Sequence, residues 1–182
     1  MIITKIEIEG LVIIQPEIFY DSRGHFFESF NIEALRKEGI DFNPVQDNES
    51  QSVRGVIRGL HYQLNPHPQA KLVRVVEGKI FDVALDLRKN SETFGKWYGI
   101  ELDSDSKKQL LIPRGFAHGF SVLSNTATVQ YKCDNTYNPA MERGINIMDT
   151  EINIDWKIDK NSYIMNNRDM NNPLFKDAEF NF

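Results

Sequence analysis

The 182-residue sequence holds one cysteine, Cys133, so no disulfide can close within the chain. Its start, Met1-Ile2-Ile3-Thr4-Lys5, lacks the apolar run of a secretory signal, and no 18 apolar residues follow one another anywhere, so no spanning helix is expected. These features predict a cytoplasmic protein. Ser/Gly-rich linkers, internal repeats and low-complexity tracts are missing too, which predicts one domain over residues 1–182. Basic residues are outnumbered, 21 Lys and Arg against 26 Asp and Glu, and the net charge of -5 argues against nucleic acid or an anionic membrane as partner. An anionic ligand would need a local cationic pocket. No Gly-rich loop marks a dinucleotide or P-loop site, so no redox cofactor is expected.

Apolar material is plentiful: 41% hydrophobic residues and 12 Phe suffice for a core without disulfide or metal. Short runs of Val, Ile, Phe and Tyr recur between Gly, Pro, Asn and Asp, the pattern of an all-β sandwich or barrel. Helix signals are few, the best being Ile32 to Glu38 with Asn31 as N-cap and Gly39 as stop. Alternation marks strands at Gly59 to Gln63, Phe116 to Leu123 and Ala127 to Cys133. Lys71 to Val76 and Lys79 to Leu87, joined by Glu77-Gly78, read as a hairpin pairing Val73 with Asp82 and Lys71 with Ala84. Lys71 then shares a face with Asp82 and Asp86, opposite Leu72, Phe81, Val83, Leu85 and Leu87. That charged face is either a cavity wall or a solvated surface with ordinary ion pairs. Arg58 and His61, three apart, share a face only if Gly59 introduces a bulge.

Several motifs carry a resemblance. Arg58-Gly59-Leu60-His61-Tyr62-Gln63, Gln69-Ala70-Lys71-Leu72-Val73-Arg74-Val75, Phe81 to Arg88, Thr93-Phe94-Gly95 and Ile112-Pro113-Arg114-Gly115-Phe116-Ala117-His118-Gly119-Phe120 occur in the order seen in the dTDP-4-dehydrorhamnose 3,5-epimerases. Asp21 to Glu28 and Gln46 to Ser50 extend the similarity, which spans roughly residues 10 to 170. The resemblance implies a cupin jelly roll, a double-stranded β-barrel with short peripheral helices and its site in the mouth. It also implies a homodimer in which residues 1–30 form an arm contacting the partner, a dTDP-sugar substrate, and catalysis without metal or cofactor.

The chemistry so implied is proton transfer beside a ketone. Hydrogens on the carbons flanking a C4 carbonyl are acidic because the carbanion delocalises into the oxygen, and inversion needs a base, an oxyanion stabiliser and an acid around one ring. His61 is the candidate base, since imidazole titrates near neutrality; its plainer reading is a hydrogen-bonded barrel histidine. Lys71 is the cation for the enolate oxygen, or else a lysine paired with Asp82 or Asp86. By similarity Asp169 partners His61, Tyr131 is the acid, and Tyr137 stacks on the nucleotide or helps set which carbons invert. Substrate-binding roles are implied likewise for Arg23, Glu28, Gln46, Asp47, Asn48, Arg58, Lys71, His118, Glu142 and Arg168. The segment Met165-Asn166-Asn167-Arg168-Asp169 departs from the usual Leu-Ser-x-Lys-Asp, which puts arginine where relatives commonly carry lysine.

Three other readings compete. A metal-dependent cupin supplies His-x-His in its first motif, but here that motif reads His61-Tyr62-Gln63. A sugar-nucleotide-binding module on the same fold has no need of His61, Lys71 and Tyr131 together. A relative that inverts C3 or C5 alone would keep the base and differ in pocket shape or acid placement.

Overall fold

A computed structural model describes residues 1–182. In chain order the strands are β1 (Ile2–Lys5), β2 (Val12–Gln15), β3 (Ile18–Asp21) and β4 (Gly24–Phe27), followed by helix α1 (Ile32–Lys37). Then come β5 (Gln46–Val53), β6 (Ile57–Gln63), β7 (Lys71–Glu77), β8 (Lys79–Asp86) and β9 (Trp97–Asp103). Strands β10 (Gln109–Ile112), β11 (Phe116–Val122), β12 (Thr126–Cys133) and β13 (Glu142–Gly144) follow, and a four-residue helix, α2 (Asn167–Met170), lies near the C-terminus.

Two antiparallel sheets face each other as a jelly roll. One has the order β1-β2-β10-β7-β12-β5 and the other β13-β6-β11-β8-β9, while β3 and β4 form a separate hairpin. Side chains alternate across each strand, so each sheet sends one set of residues inward and one outward. Inward residues Val73, Val75, Ile80, Ala84, Leu110, Phe120 and Val129 make the inner core. The outer face of the five-stranded sheet, with Phe81, Val83, Leu85 and Leu87, is covered by C-terminal residues including Ile147, Ile152, Trp156 and Phe175. The outer face of the other sheet, with Val12, Ile14, Leu72 and Leu111, is covered by Leu35 of α1 and Phe42. Each fully buried aliphatic or Phe side chain stabilises by roughly 1.5–3 kcal/mol.

The expected helix forms where its cap signals place it: Asn31 Oδ1 accepts from Ala34 N at 3.0 Å, and Gly39 follows at φ +74°. The expected β7–β8 hairpin does not form. β7 pairs with β10 and β12, whereas β8 pairs with β9 and β11, so the chain crosses from one sheet to the other at Gly78. The crossing leaves no room for a side chain: a Cβ on Gly78 would lie 2.1 Å from the Thr126 carbonyl oxygen. Inward and outward assignments survive this change because alternation is a property of each strand alone. No helix is long and apolar enough to cross a membrane.

Candidate active site

Strand β6 positions the first group of functional side chains through a bulge. His61 lies opposite His118 of β11 and Arg58 opposite Phe120, so three steps on β6 match two on β11 and Arg58 and His61 reach the same face. Gly59 and Gly119 permit the close approach. A Cβ on Gly59, at φ +126°, would fall 2.5 Å from Gly119 Cα. Leu60 and Tyr62 turn to the outer core.

A cavity of about 130 Å³ opens between the sheets, lined by Ser50, Arg58, His61, Lys71, His118, Gly119, Phe120, Tyr131, Asn166 and Asp169. His61, Arg58 and His118 belong to the five-stranded sheet; Lys71, Tyr131 and Ser50 belong to the six-stranded one. Base and acid candidates therefore stand on opposite walls. Arg58 spans the gap, its Nε donating to Ser52 Oγ at 3.0 Å.

His61 Nε2 lies 2.7 Å from Asp169 Oδ1, and Gly59 N donates to Oδ2 at 3.3 Å. Burial works to raise the Asp169 carboxyl, but the hydrogen bond and charge of His61, the Gly59 amide and Arg168 outweigh it and hold the group below its ordinary value. An ionised carboxylate only accepts, so Nε2 carries the proton and Nδ1 is left with the free lone pair. A parallel pair lies deeper: His118 Nε2 is 2.7 Å from Asp82 Oδ1, both buried. Burial pushes the Lys71 ammonium below its ordinary value, opposed by Cys133, Glu142 and Asp82. The Lys71 ammonium lies 5.9 Å from the Tyr131 ring centroid, and burial raises the Tyr131 phenol. Asp86, expected beside Lys71, is instead tied to Arg88, Ser91 and Thr93. No group of three or more His, Cys, Asp and Glu side chains is arranged to hold a metal.

A chain of hydrogen bonds joins a second set of expected residues. Gln46 Nε2 donates to Asn48 Oδ1 at 3.0 Å, while Gln46 Oε1 accepts from Tyr137 N at 2.8 Å. The Tyr137 hydroxyl donates to Glu142 Oε2 at 2.5 Å, and Arg168 Nη2 reaches the same oxygen at 2.6 Å. Half-exposed Tyr137 offers its ring for stacking.

Three expected residues join neither the cavity lining nor this hydrogen-bonded set. Arg23 is exposed and pairs with Asp21; Glu28 accepts from Asn31. Asp47 points outward, away from Gln46 and Asn48, and pairs with Lys132 at 2.7 Å, because a strand sends neighbours to opposite faces. Conversely, Ser50 and Asn166 line the cavity without having been singled out. Period two from Gln46 and Asn48 points to Ser50, whose buried Oγ has no hydrogen-bond partner. Asn166 has the N-cap spacing, three residues before Asp169.

The sequence profile of the dTDP-4-dehydrorhamnose 3,5-epimerases matches residues 5–177. The enzyme of that name from Shigella flexneri is 48% identical over 181 residues, covering 99% of both chains. The crystal structure of the dTDP-4-dehydrorhamnose 3,5-epimerase from Elizabethkingia anophelis superposes with a TM-score of 0.93 at 49% identity, covering 97% of both chains. That of the dTDP-6-deoxy-D-glucose-3,5-epimerase from Legionella pneumophila, in complex with dTDP-4-keto-L-rhamnose, superposes with a TM-score of 0.93 at 43% identity, covering 97% of this chain and 94% of that one.

Proposed function

This chain belongs to the dTDP-4-dehydrorhamnose 3,5-epimerase family, and we propose that it works as one catalytic domain in which His61 and Tyr131 exchange protons with opposite faces of the sugar ring. The chain is an isomerase: it converts dTDP-4-dehydro-6-deoxy-D-glucose into dTDP-4-dehydro-L-rhamnose by epimerisation at C3 and C5, in dTDP-L-rhamnose biosynthesis.

The observation that carries the mechanism is the His61–Asp169 pair at 2.7 Å on one wall, with Tyr131 and Lys71 on the other. His61 Nδ1 takes the proton from the carbon beside the ketone, and Asp169 stabilises the imidazolium that forms. The electron pair moves into the C4 carbonyl, and the Lys71 ammonium stabilises the resulting enolate oxygen. Tyr131 then gives its hydroxyl proton to the same carbon from the opposite wall, which inverts it. The phenol recovers its proton from solvent and His61 loses its own. The step repeats at the other carbon.

Arg58 and His118 hold the sugar and the inner phosphate. The Tyr137–Glu142–Arg168 cluster with Gln46 and Asn48 receives the nucleoside. Arg23 and Glu28 enter the site of a second subunit, carried by the β3–β4 arm; the exposure of Phe19, Tyr20 and Phe26 on that arm supports a homodimer. The reaction runs in the cytoplasm without metal or redox cofactor.

The test is incubation with dTDP-4-keto-6-deoxyglucose in deuterium oxide, with and without chelator, followed by NMR. Label at both C3 and C5, unaffected by chelator and lost in His61→Ala, is expected. Label at one carbon would assign a single-site epimerase, and binding without exchange would leave a binding module.

A further inference from the structure

We infer that Asn166 is a positioning residue for the His61–Asp169 pair, an inference that rests on the reading of His61 as the base. Asp169 sits on α2, and four residues are too few to sustain a helix unaided. The polypeptide on either side is fastened to the barrel. Ile164 N donates to the Gly55 carbonyl at 2.9 Å and Ile57 N to the Ile164 carbonyl at 3.0 Å; beyond the helix, Asn146 N donates to the Pro173 carbonyl at 2.8 Å. Between those anchors the first turn of α2 is set by Asn166. Its Oδ1 accepts from Asp169 N at 2.7 Å, and its backbone carbonyl accepts from Met170 N at 3.2 Å.

The cap therefore grips the backbone nitrogen of the residue whose carboxylate must meet His61 Nε2 on one oxygen and the Gly59 amide on the other. Asp169 is buried where it stands, so displacing the carboxylate loses those two hydrogen bonds. Fixing the turn fixes the carboxylate, and the carboxylate fixes the imidazole. Serine, which also caps well, can take this place; alanine cannot.

Asn166→Ala is expected to lower kcat by about ten- to a hundredfold while leaving KM within about twofold, because the geometry lost is that of the transition state. A readout that a merely structural role would not move is the low-field Nε2–H proton of His61, assigned by its loss in His61→Ala. In Asn166→Ala it should move upfield and exchange faster with solvent, while the corresponding His118 proton, held by Asp82, stays in place. Asn166→Ser should restore both kcat and the resonance. Wild-type kcat with an unmoved resonance in Asn166→Ala would overturn the inference, and so would an Asn166→Ser variant as impaired as Asn166→Ala. If Asn166→Ala does not fold, Asn166→Ser against Asn166→Gln decides: the serine variant should match wild type and the longer glutamine should not, and the reverse order overturns the inference. Absence of isotope exchange in the wild-type protein would instead sink the epimerase reading, and the resonance would still decide whether Asn166 sets the pair.

Discussion

Replacing Asp169 with asparagine removes one charge and one of its two acceptor oxygens, which leaves the Gly59 amide facing an NH2 group. The carboxamide keeps the volume and one acceptor, so it can still take a hydrogen bond from His61 Nε2, which the carboxylate does at 2.7 Å. What it cannot do is stabilise the imidazolium formed when His61 accepts a proton from carbon. With charge centres about 4 Å apart and an effective dielectric near 20, that attraction is worth about 4 kcal/mol. Asp169 is 1% exposed and His61 28%, so solvent screens the pair little. About 4 kcal/mol corresponds to about a thousandfold in rate. The charge develops only as the proton moves, so the loss should fall on kcat and spare KM. Deuterium incorporation at C3 and C5, followed by NMR over a range of substrate concentrations, reads both constants. The combined His61→Ala/Asp169→Asn variant should be no slower than His61→Ala alone, since the two act as a unit. A folded Asp169→Asn enzyme within about tenfold of wild type would refute the assignment of Asp169 as the stabilising partner.

Other expectations are as specific. Tyr131→Phe removes the proton for the second face but leaves the base, so substrate should still exchange label through His61 while product formation falls by about a hundredfold or more; equal loss of both would contradict the division of labour. Asp86 should make stability depend on pH. Burial works to raise its carboxyl, but bonds from Arg88, Thr93 and Ser91 prevail and hold it below its ordinary 3.8. The unfolded chain thus takes the proton first, so the contribution is whole above about pH 5 and drains as pH falls through the lower folded value. Urea unfolding should show Asp86→Asn less stable by roughly 3–5 kcal/mol at pH 7, with a smaller gap at pH 3. Gly59→Ala meets both a positive φ of +126° and the Gly119 Cα at 2.5 Å, so a thermal melt should report a loss of roughly 1–3 kcal/mol or more.

Much of this molecule was legible before any coordinates. Alternation located β6, β11 and β12 to within a residue or two, and the Asn31 cap with Gly39 located α1, because both signals are local. Pairing is not local. Glu77-Gly78 looks the same whether it closes a hairpin or carries the chain between sheets, and what decided it was the clasp of Ser124 and Thr126 around Gly78, contributed from more than forty residues away. The same limit applies to the site. His61, Lys71, Tyr131 and Asp169 converge on one cavity from four separate elements, which motif order implied and no spacing could demonstrate. Asp47 faces away from Gln46 and Asn48 because a strand has a two-residue period, and the same period places Ser50 on their side.

The two covered outer faces have a bearing on how such a protein can change. Phe81, Val83, Leu85, Leu87 and Trp156 on one side, and Val12, Ile14, Leu72 and Phe42 on the other, secure the sheets independently of the mouth between them. Mutational drift among the polar residues lining that mouth is therefore largely insulated from the melting temperature, except where backbone approaches backbone and at the buried pairs His118–Asp82 and His61–Asp169. A lineage can retune which sugar it accepts, one lining residue at a time, without first acquiring compensating stability elsewhere.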